Sequence, residues 1–142
     1  MEWRIISGGV TAPKGFLAAG IACGIISSGK KEVALILSKT PCEAAGVFTR
    51  NLSKAAPIFI SQEHLADGRL QGIVANSGNA NALTPQGREH AKRMTQAAAS
   101  ATGLDPAQFG VASTGVIGVP LPVERVERGI AEAATPQPTI SA

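Results

Sequence analysis

Two stretches of the sequence gather residues that could stabilise negative charge. In Ser113-Thr114-Gly115-Val116-Ile117-Gly118, successive backbone N–H groups can converge on one point and form a nest for an anion. Gly115 has no side chain to block the approach, and Thr114 adds a hydroxyl. A carbonyl oxygen that gains charge during acyl transfer needs such donors, so the chemistry in view is an oxyanion hole. A plain strand-to-helix turn would use the same residues. The second stretch is Asn76-Ser77-Gly78-Asn79-Ala80-Asn81. Its amides could bind a polar substrate, but Asn and Gly are also turn residues that tolerate left-handed backbone and hydrogen-bond their own main chain. The expectation is structural: three amides pinning a loop that supports a neighbouring site.

The other reactive side chains point to less. Cys23 and Cys42 are too few for a disulfide framework and have no partner at metal-ligand spacing, so both are expected as reduced thiols packed like small hydrophobes. His64 and His90 have no Ser, Cys or Asp arrangement that would make a triad, and solvent or capping roles are expected. The chain has no HExxH, no Walker loop and no dinucleotide fingerprint. Lys30-Lys31 reads as a solvated turn.

The elements that must carry these loops follow from apolar runs and turn residues. Residues 33–38 form a continuous apolar run, the mark of a strand buried on both faces. Residues 45–49 and 57–61 read as further strands, with Ser61 capping a short helix over 62–66 that stops at Asp67-Gly68. The strand 71–75 runs directly into the Asn-rich loop. Thr84 as N-cap, Pro85 at the first helical position and Gly103 at the stop bound a long helix. Its inward face is expected to carry His90, Ala91, Met94, Ala97, Ala98 and Ala101. Residues 110–113 form a strand that leads into the Thr114 turn. A helix from about Pro122 turns Val123, Val126 and Ile130 inward and leaves Glu124, Arg125, Glu127 and Arg128 in solvent. Residues 135–142, with two prolines, read as an extended tail. Both candidate loops therefore sit at the carboxyl ends of strands, where open α/β sheets place ligands.

Composition agrees with one α/β domain spanning residues 1–142. The chain has 142 residues, 44% of them apolar, 16% charged and only 4% aromatic, with no Tyr. Disorder is excluded by that balance, and the core must be built largely from Ala, Val, Ile and Leu. A formal charge of +3 is scattered, with no basic run interleaved with aromatics, so no nucleic-acid partner is expected. No apolar run approaches membrane-spanning length and the N-terminus lacks the build of a signal peptide. A cytoplasmic protein without membrane association is the expectation.

Five motifs, in order, resemble those of the amino-terminal (alpha) part of the glutamate N-acetyltransferase, or ornithine acetyltransferase, family of arginine biosynthesis. They are Val10-Thr11-Ala12-Pro13-Lys14-Gly15-Phe16 with Ala18-Ala19-Gly20-Ile21, then Ala45-Gly46-Val47-Phe48-Thr49, then Lys54-Ala55-Ala56-Pro57. Asn76-Ser77-Gly78-Asn79-Ala80-Asn81-Ala82 and Val111-Ala112-Ser113-Thr114-Gly115-Val116-Ile117-Gly118 complete the set. The resemblance covers residues 10 to about 130. It implies mixed β-sheet layers flanked by helices, and a precursor that cleaves itself before a threonine into alpha and beta chains that stay together. That threonine, at the start of the beta chain, takes acetyl from N-acetylornithine and passes it to glutamate through an acetyl-enzyme. No organic cofactor or metal is implied; use of acetyl-CoA differs among members. An alpha2beta2 heterotetramer is implied. Matched motif to motif, Thr114 and Gly115 resemble the pair that stabilises the oxyanion.

The sequence also departs from the family pattern. It contains no Ala-Thr-Met-Leu cleavage motif, no Met-Thr-Thr-Asp segment and no glycine-rich stretch with the substrate-binding lysine. In the family these lie beyond the matched region, so the nucleophile and most substrate-binding residues are expected on another chain or segment. Thr135, Thr139 and Ser141 lie in no such motif and receive no such role. The competing reading is a non-enzymatic ligand- or protein-binding module that kept the scaffold without the nucleophile.

Overall fold

A computed structural model of the chain describes residues 5–135. Four strands, β1 (Phe16–Ile21), β2 (Val33–Glu43), β3 (Arg69–Asn76) and β4 (Phe109–Ser113), lie side by side in that order. The first two pairs are antiparallel and the β3–β4 pair is parallel. A parallel pair needs a crossover, and α2 (Gly87–Thr102) provides it, while α1 (Ala56–His64) joins β2 to β3 and α3 (Val123–Ala134) follows β4. The expected α/β class is the observed one.

Side chains alternate across the strands, and one face of the sheet makes the core. Val33 and Leu35 of β2, Val74 of β3, and Phe109 and Val111 of β4 pack with Ile60, Ala91, Met94, Ala98, Val123, Val126 and Ile130 from the helices. The alternate face carries Ala18, Ala34, Ile36, Ile73, Ala75 and Ala112; Ala18, Ile73 and Ala112 are exposed, Ile73 to 44%. Half of this sheet is thus finished and half is not.

The helix at residues 56–64 overturns the strand expected at 57–61, and residues 45–49 form no regular element. Pro57 occupies the first turn of α1, where its fixed φ and missing N–H favour a helix start. The β-branched, aromatic run that suggested a strand is a helix because tertiary burial overrides propensity: Ile60 is fully buried. Ser61 is not a cap. Its Oγ donates to the Val111 carbonyl at 2.7 Å and accepts the Val111 N–H at 2.9 Å. His64, expected in a solvent or capping role, donates Nδ1–H to the Phe109 carbonyl at 2.8 Å. Both side chains satisfy the outer edge of β4, which would otherwise stay unpaired.

The long helix starts two residues later than read. Its N-cap is Gln86, and Thr84 and Pro85 lie in the preceding turn. The Asn81 side chain donates to the Gly87 carbonyl at 2.9 Å and ties the first turn to the Asn-rich loop. Gly103 ends the helix in the left-handed region, as expected. Its buried face holds Ala91, Met94 and Ala98 but also Thr95 and Ala99, while Ala101 is exposed and His90 and Ala97 are half-buried. The stripe is rotated because α2 packs against α1 and α3 as well as β4. In α3, Val123, Val126 and Ile130 are buried as read, and Arg93 of α2 bridges to Glu124 and Glu127 at 3.2 and 2.7 Å. β1 had no sequence signal: its Phe-Leu-Ala-Ala-Gly-Ile run is a strand through pairing with β2. Of the tail expected at 135–142, only Thr135 falls within the described residues, as the C-cap of α3.

One packing detail predicts its own test. Gly72 pairs with Phe109 across the β3–β4 ladder, and a Cβ on Gly72 would lie 2.6 Å from Phe109 Cδ1. The ring therefore lies over the bare glycine, fully buried. Phe109→Ala is expected to cost about 3–5 kcal/mol, and Gly72→Ala to destabilise as well. Urea midpoints check both; an unchanged midpoint for Gly72→Ala would mean that the ring does not depend on this gap.

Candidate active site

The two loops singled out in the sequence meet at the carboxyl ends of β3 and β4. The β3–β4 ladder ends at the Asn76–Ser113 pair. Ser113 Oγ donates to Asn76 Oδ1 at 2.6 Å, and Thr114 N–H donates to the Asn76 carbonyl at 3.0 Å. Asn79 then bridges to Thr114 and Val116 on the neighbouring turn.

All three asparagine side chains are bonded within the fold, although Asn81 Oδ1 has no partner among the described residues. Asn76, Asn79 and Asn81 are at most 3% exposed. Asn76 Nδ2 donates to the Asn79 carbonyl at 2.8 Å, Asn79 Nδ2 to the Val119 carbonyl at 3.0 Å, and Asn79 Oδ1 accepts the Asn81 N–H at 2.7 Å. These are the bonds of a support, as the sequence suggested. Buried hydrogen bonds of this kind, running from side chain to main chain, hold the loop in one geometry.

The Thr114 turn is not the open nest of consecutive donors read from the sequence. The Thr114 N–H is held by Asn76, the Val116 N–H reaches the Gly78 carbonyl at 3.4 Å, and the Gly118 N–H reaches the Ala82 carbonyl at 2.9 Å. Three donors of this turn have no partner among the described residues: the Gly115 N–H, the Ile117 N–H and the Thr114 hydroxyl. All three are on an exposed stretch. Gly115 has φ +133°, and a Cβ there would lie 2.5 Å from Asn79 N and 2.7 Å from Gly78 O. Only glycine fits, because backbone from the Asn loop passes directly behind it. Val116, Ile117 and Val119 beside the turn, and Leu83 on the Asn loop, are each half or more exposed.

Both cysteines are free thiols and half-buried. Burial, reinforced by the adjacent Glu32 carboxylate, pushes the Cys23 thiol up, away from its reactive thiolate form. Cys42 lies on β2 and donates Sγ–H to Ser38 Oγ at 3.2 Å. Among the described residues, no group of three or more His, Cys, Asp and Glu side chains is placed to hold a metal ion, and no helix is long and apolar enough to cross a membrane. Sequence reading passed over Glu32. Its one signal was a lone acidic residue opening an apolar strand.

The architecture is shared with acyl-transfer enzymes of arginine biosynthesis. The chain belongs to the ArgJ family, whose model matches residues 17–141. It is 56% identical over 138 residues to the arginine biosynthesis bifunctional protein ArgJ of Symbiobacterium thermophilum, covering 94% of this chain and 34% of that protein. The corresponding protein of Gloeobacter violaceus is 51% identical over 139 residues, with the same coverage of 94% and 34%. Among solved structures, ArgJ of Bacillus halodurans superposes with a TM-score of 0.84 at 38% identity, covering 90% of this chain and 69% of that one. Ornithine acetyltransferase of Mycobacterium tuberculosis, solved in complex with ornithine, gives 0.84 at 43% identity, covering 89% and 69%. The chain thus spans about a third of the length of the curated relatives it matches.

Proposed function

We propose that this chain is the alpha part of an ornithine/glutamate N-acetyltransferase and that Thr114 and Gly115 form its oxyanion hole. The observation that carries the reading is the adjacent pair of unpartnered donors on the turn after β4, the Thr114 hydroxyl and the Gly115 N–H, set beside a Thr114 N–H and a Val116 N–H that are committed to the scaffold. In the first half-reaction a threonine hydroxyl on the remaining polypeptide attacks the acetyl carbonyl of N-acetylornithine. The carbonyl π pair moves onto oxygen, where the Thr114 hydroxyl and the Gly115 N–H receive the charge. Collapse breaks the C–N bond and releases ornithine with a proton on its amine. In the second half-reaction the glutamate amine attacks the acetyl-threonine ester, the same two donors serve the second tetrahedral intermediate, and its collapse breaks the ester C–O bond, so that the amine's proton passes to the threonine oxygen and N-acetylglutamate leaves. Donors fixed beforehand need no reorganisation as charge develops, which is why such a hole accelerates both steps.

The match lengths support a partner chain. The solved chains are about half as long as the curated relatives, as two products of one precursor would be. The open sheet face and the exposed Val116, Ile117 and Val119 are the natural seat for that partner. In this reading residues 1–142 act as a single domain, two alpha–beta units pair as a heterotetramer in the cytoplasm, and substrate selection rests mainly with the partner.

The test is made on the complete gene product. Incubated with N-acetylornithine and glutamate, it is expected to release ornithine and N-acetylglutamate, and its intact mass to resolve into two chains, the second beginning with threonine. A single uncleaved chain without acetyl transfer would favour the binding-module reading instead.

A further inference from the structure

We propose that Glu32 is a positioning residue for the oxyanion turn, acting through the loop of residues 22–31 and the Asn-rich loop; this rests on the acetyl-transfer reading above. Glu32 is only 3% exposed and opens β2 with its side chain turned back over the preceding loop. Its Oε2 accepts the Cys23 N–H at 2.7 Å and the Gly24 N–H at 3.0 Å, and its Oε1 accepts the Ile26 N–H at 2.9 Å. Three peptide donors on one carboxylate fix the loop's path. From the other side, the Arg125 guanidinium of α3 donates to the Gly24 carbonyl.

The loop held in this way bears on the candidate site. Ile25 and Ile26 lie against Gly78: a Cβ there would be 2.9 Å from Ile25 Cγ2 and 3.2 Å from Ile26 Cγ2. The Gly78 carbonyl group and the Asn79 nitrogen are in turn the backbone that passes behind Gly115. A second connection runs through the main chain, because the Glu32 carbonyl accepts the Ser77 N–H at 2.7 Å. Glu32 therefore grips the Asn loop twice, once through the isoleucines and once directly. Because Gly78 touches both the isoleucines and Gly115, and its carbonyl holds the Val116 N–H, a shift of the loop is passed on to the Gly115 N–H. The ion needed for this grip is secure at neutral pH: the hydrogen bond from Ile26, with those from Cys23 and Gly24, holds the carboxyl below the usual carboxylate range despite burial.

Glu32→Gln in the complete protein tests the proposal, since its amide NH2 must face at least one peptide N–H. Hydrogen exchange is expected to quicken in peptides covering 22–31, 76–81 and 113–118, while the centre of β3 keeps its protection. The kcat for acetyl transfer is expected to fall about ten- to a hundredfold, the scale of a misplaced reacting group, with KM for N-acetylornithine little changed. Ile26→Ala leaves the carboxylate and its bonds intact, so it decides the matter if Glu32→Gln fails to fold. It should quicken exchange at 76–81 and 113–118 and lower kcat in the same direction. Faster exchange confined to 22–31, with kcat at the wild-type level, would overturn the proposal. A wild-type protein that transfers no acetyl group would instead overturn the acetyl-transfer reading, and the exchange pattern alone would then judge the role of Glu32.

Discussion

Thr114→Ala in the complete protein is expected to lower kcat about a hundred- to a thousandfold, equivalent to ~2.7–4 kcal/mol of transition-state stabilisation. The apparent affinity for N-acetylornithine should change far less, because a ground-state carbonyl is a weaker acceptor than the developing oxyanion. The size of the loss follows from which Thr114 donor is free. Its N–H is bound to the Asn76 carbonyl at 3.0 Å, so the hydroxyl is what reaches outward, and the alanine variant deletes it. Thr114→Ser keeps the hydroxyl and should keep most of the rate. Gly115→Val acts differently, through space and backbone. Its Cβ has no room beside Asn79 N and Gly78 O, and its φ of +133° is one that a β-branched residue adopts only under strain. Turnover should be lost at least as severely as in Thr114→Ala. Steady-state kinetics of the three variants, with cleavage and thermal midpoint as folding checks, measures this. Near-normal kcat in both Thr114→Ala and Gly115→Val would reduce the turn to a connection between β4 and α3.

The second large effect concerns the chain by itself. Purified without the remaining polypeptide, the 142 residues are expected to transfer no acetyl group from N-acetylornithine to glutamate, because a hole without a nucleophile stabilises a charge that never forms. Activity should appear only when the segment bearing the N-terminal threonine is co-produced with it. The isolated chain should also bind a hydrophobic dye or self-associate, since Ile73 at 44% and Ile117 at 59% exposure stay wet on surfaces meant to be covered. Measurable transfer by the pure chain would overturn the assignment of the nucleophile elsewhere. A monomeric, dye-silent chain with a sharp melt would overturn the assignment of the open face to a partner.

What was legible in the sequence was whatever depends on neighbours along the chain. The strand before the Asn loop, the strand before Thr114 and the inward stripe Val123, Val126, Ile130 appear where expected, and the apolar run at 33–38 is a strand too, although β2 continues to Glu43 and is fully buried on one face rather than both. Local signals also marked Gly103 as a helix stop and the Asn loop as a support, because left-handed backbone and self-bonding amides are properties of those residues themselves. The motif order carried the family. Tertiary structure alone decided the rest. Residues 56–64 became a helix because burial against β4 and α2 outweighs the strand preference of Ile58, Phe59 and Ile60. Residues 16–21 became a strand because β2 offers an edge, despite a run rich in Ala and Gly. Most consequentially, the sequence offered a whole row of N–H donors at the Thr114 turn, and the fold withdrew alternate ones, those of Thr114, Val116 and Gly118. A backbone donor is the same in every residue; whether it is free depends on which carbonyl the fold brings opposite. Here Asn76, Gly78 and Ala82, at least thirty positions earlier in the chain, take the N–H groups of Thr114, Val116 and Gly118 and leave the Gly115 and Ile117 N–H groups and the Thr114 hydroxyl without a partner among the described residues.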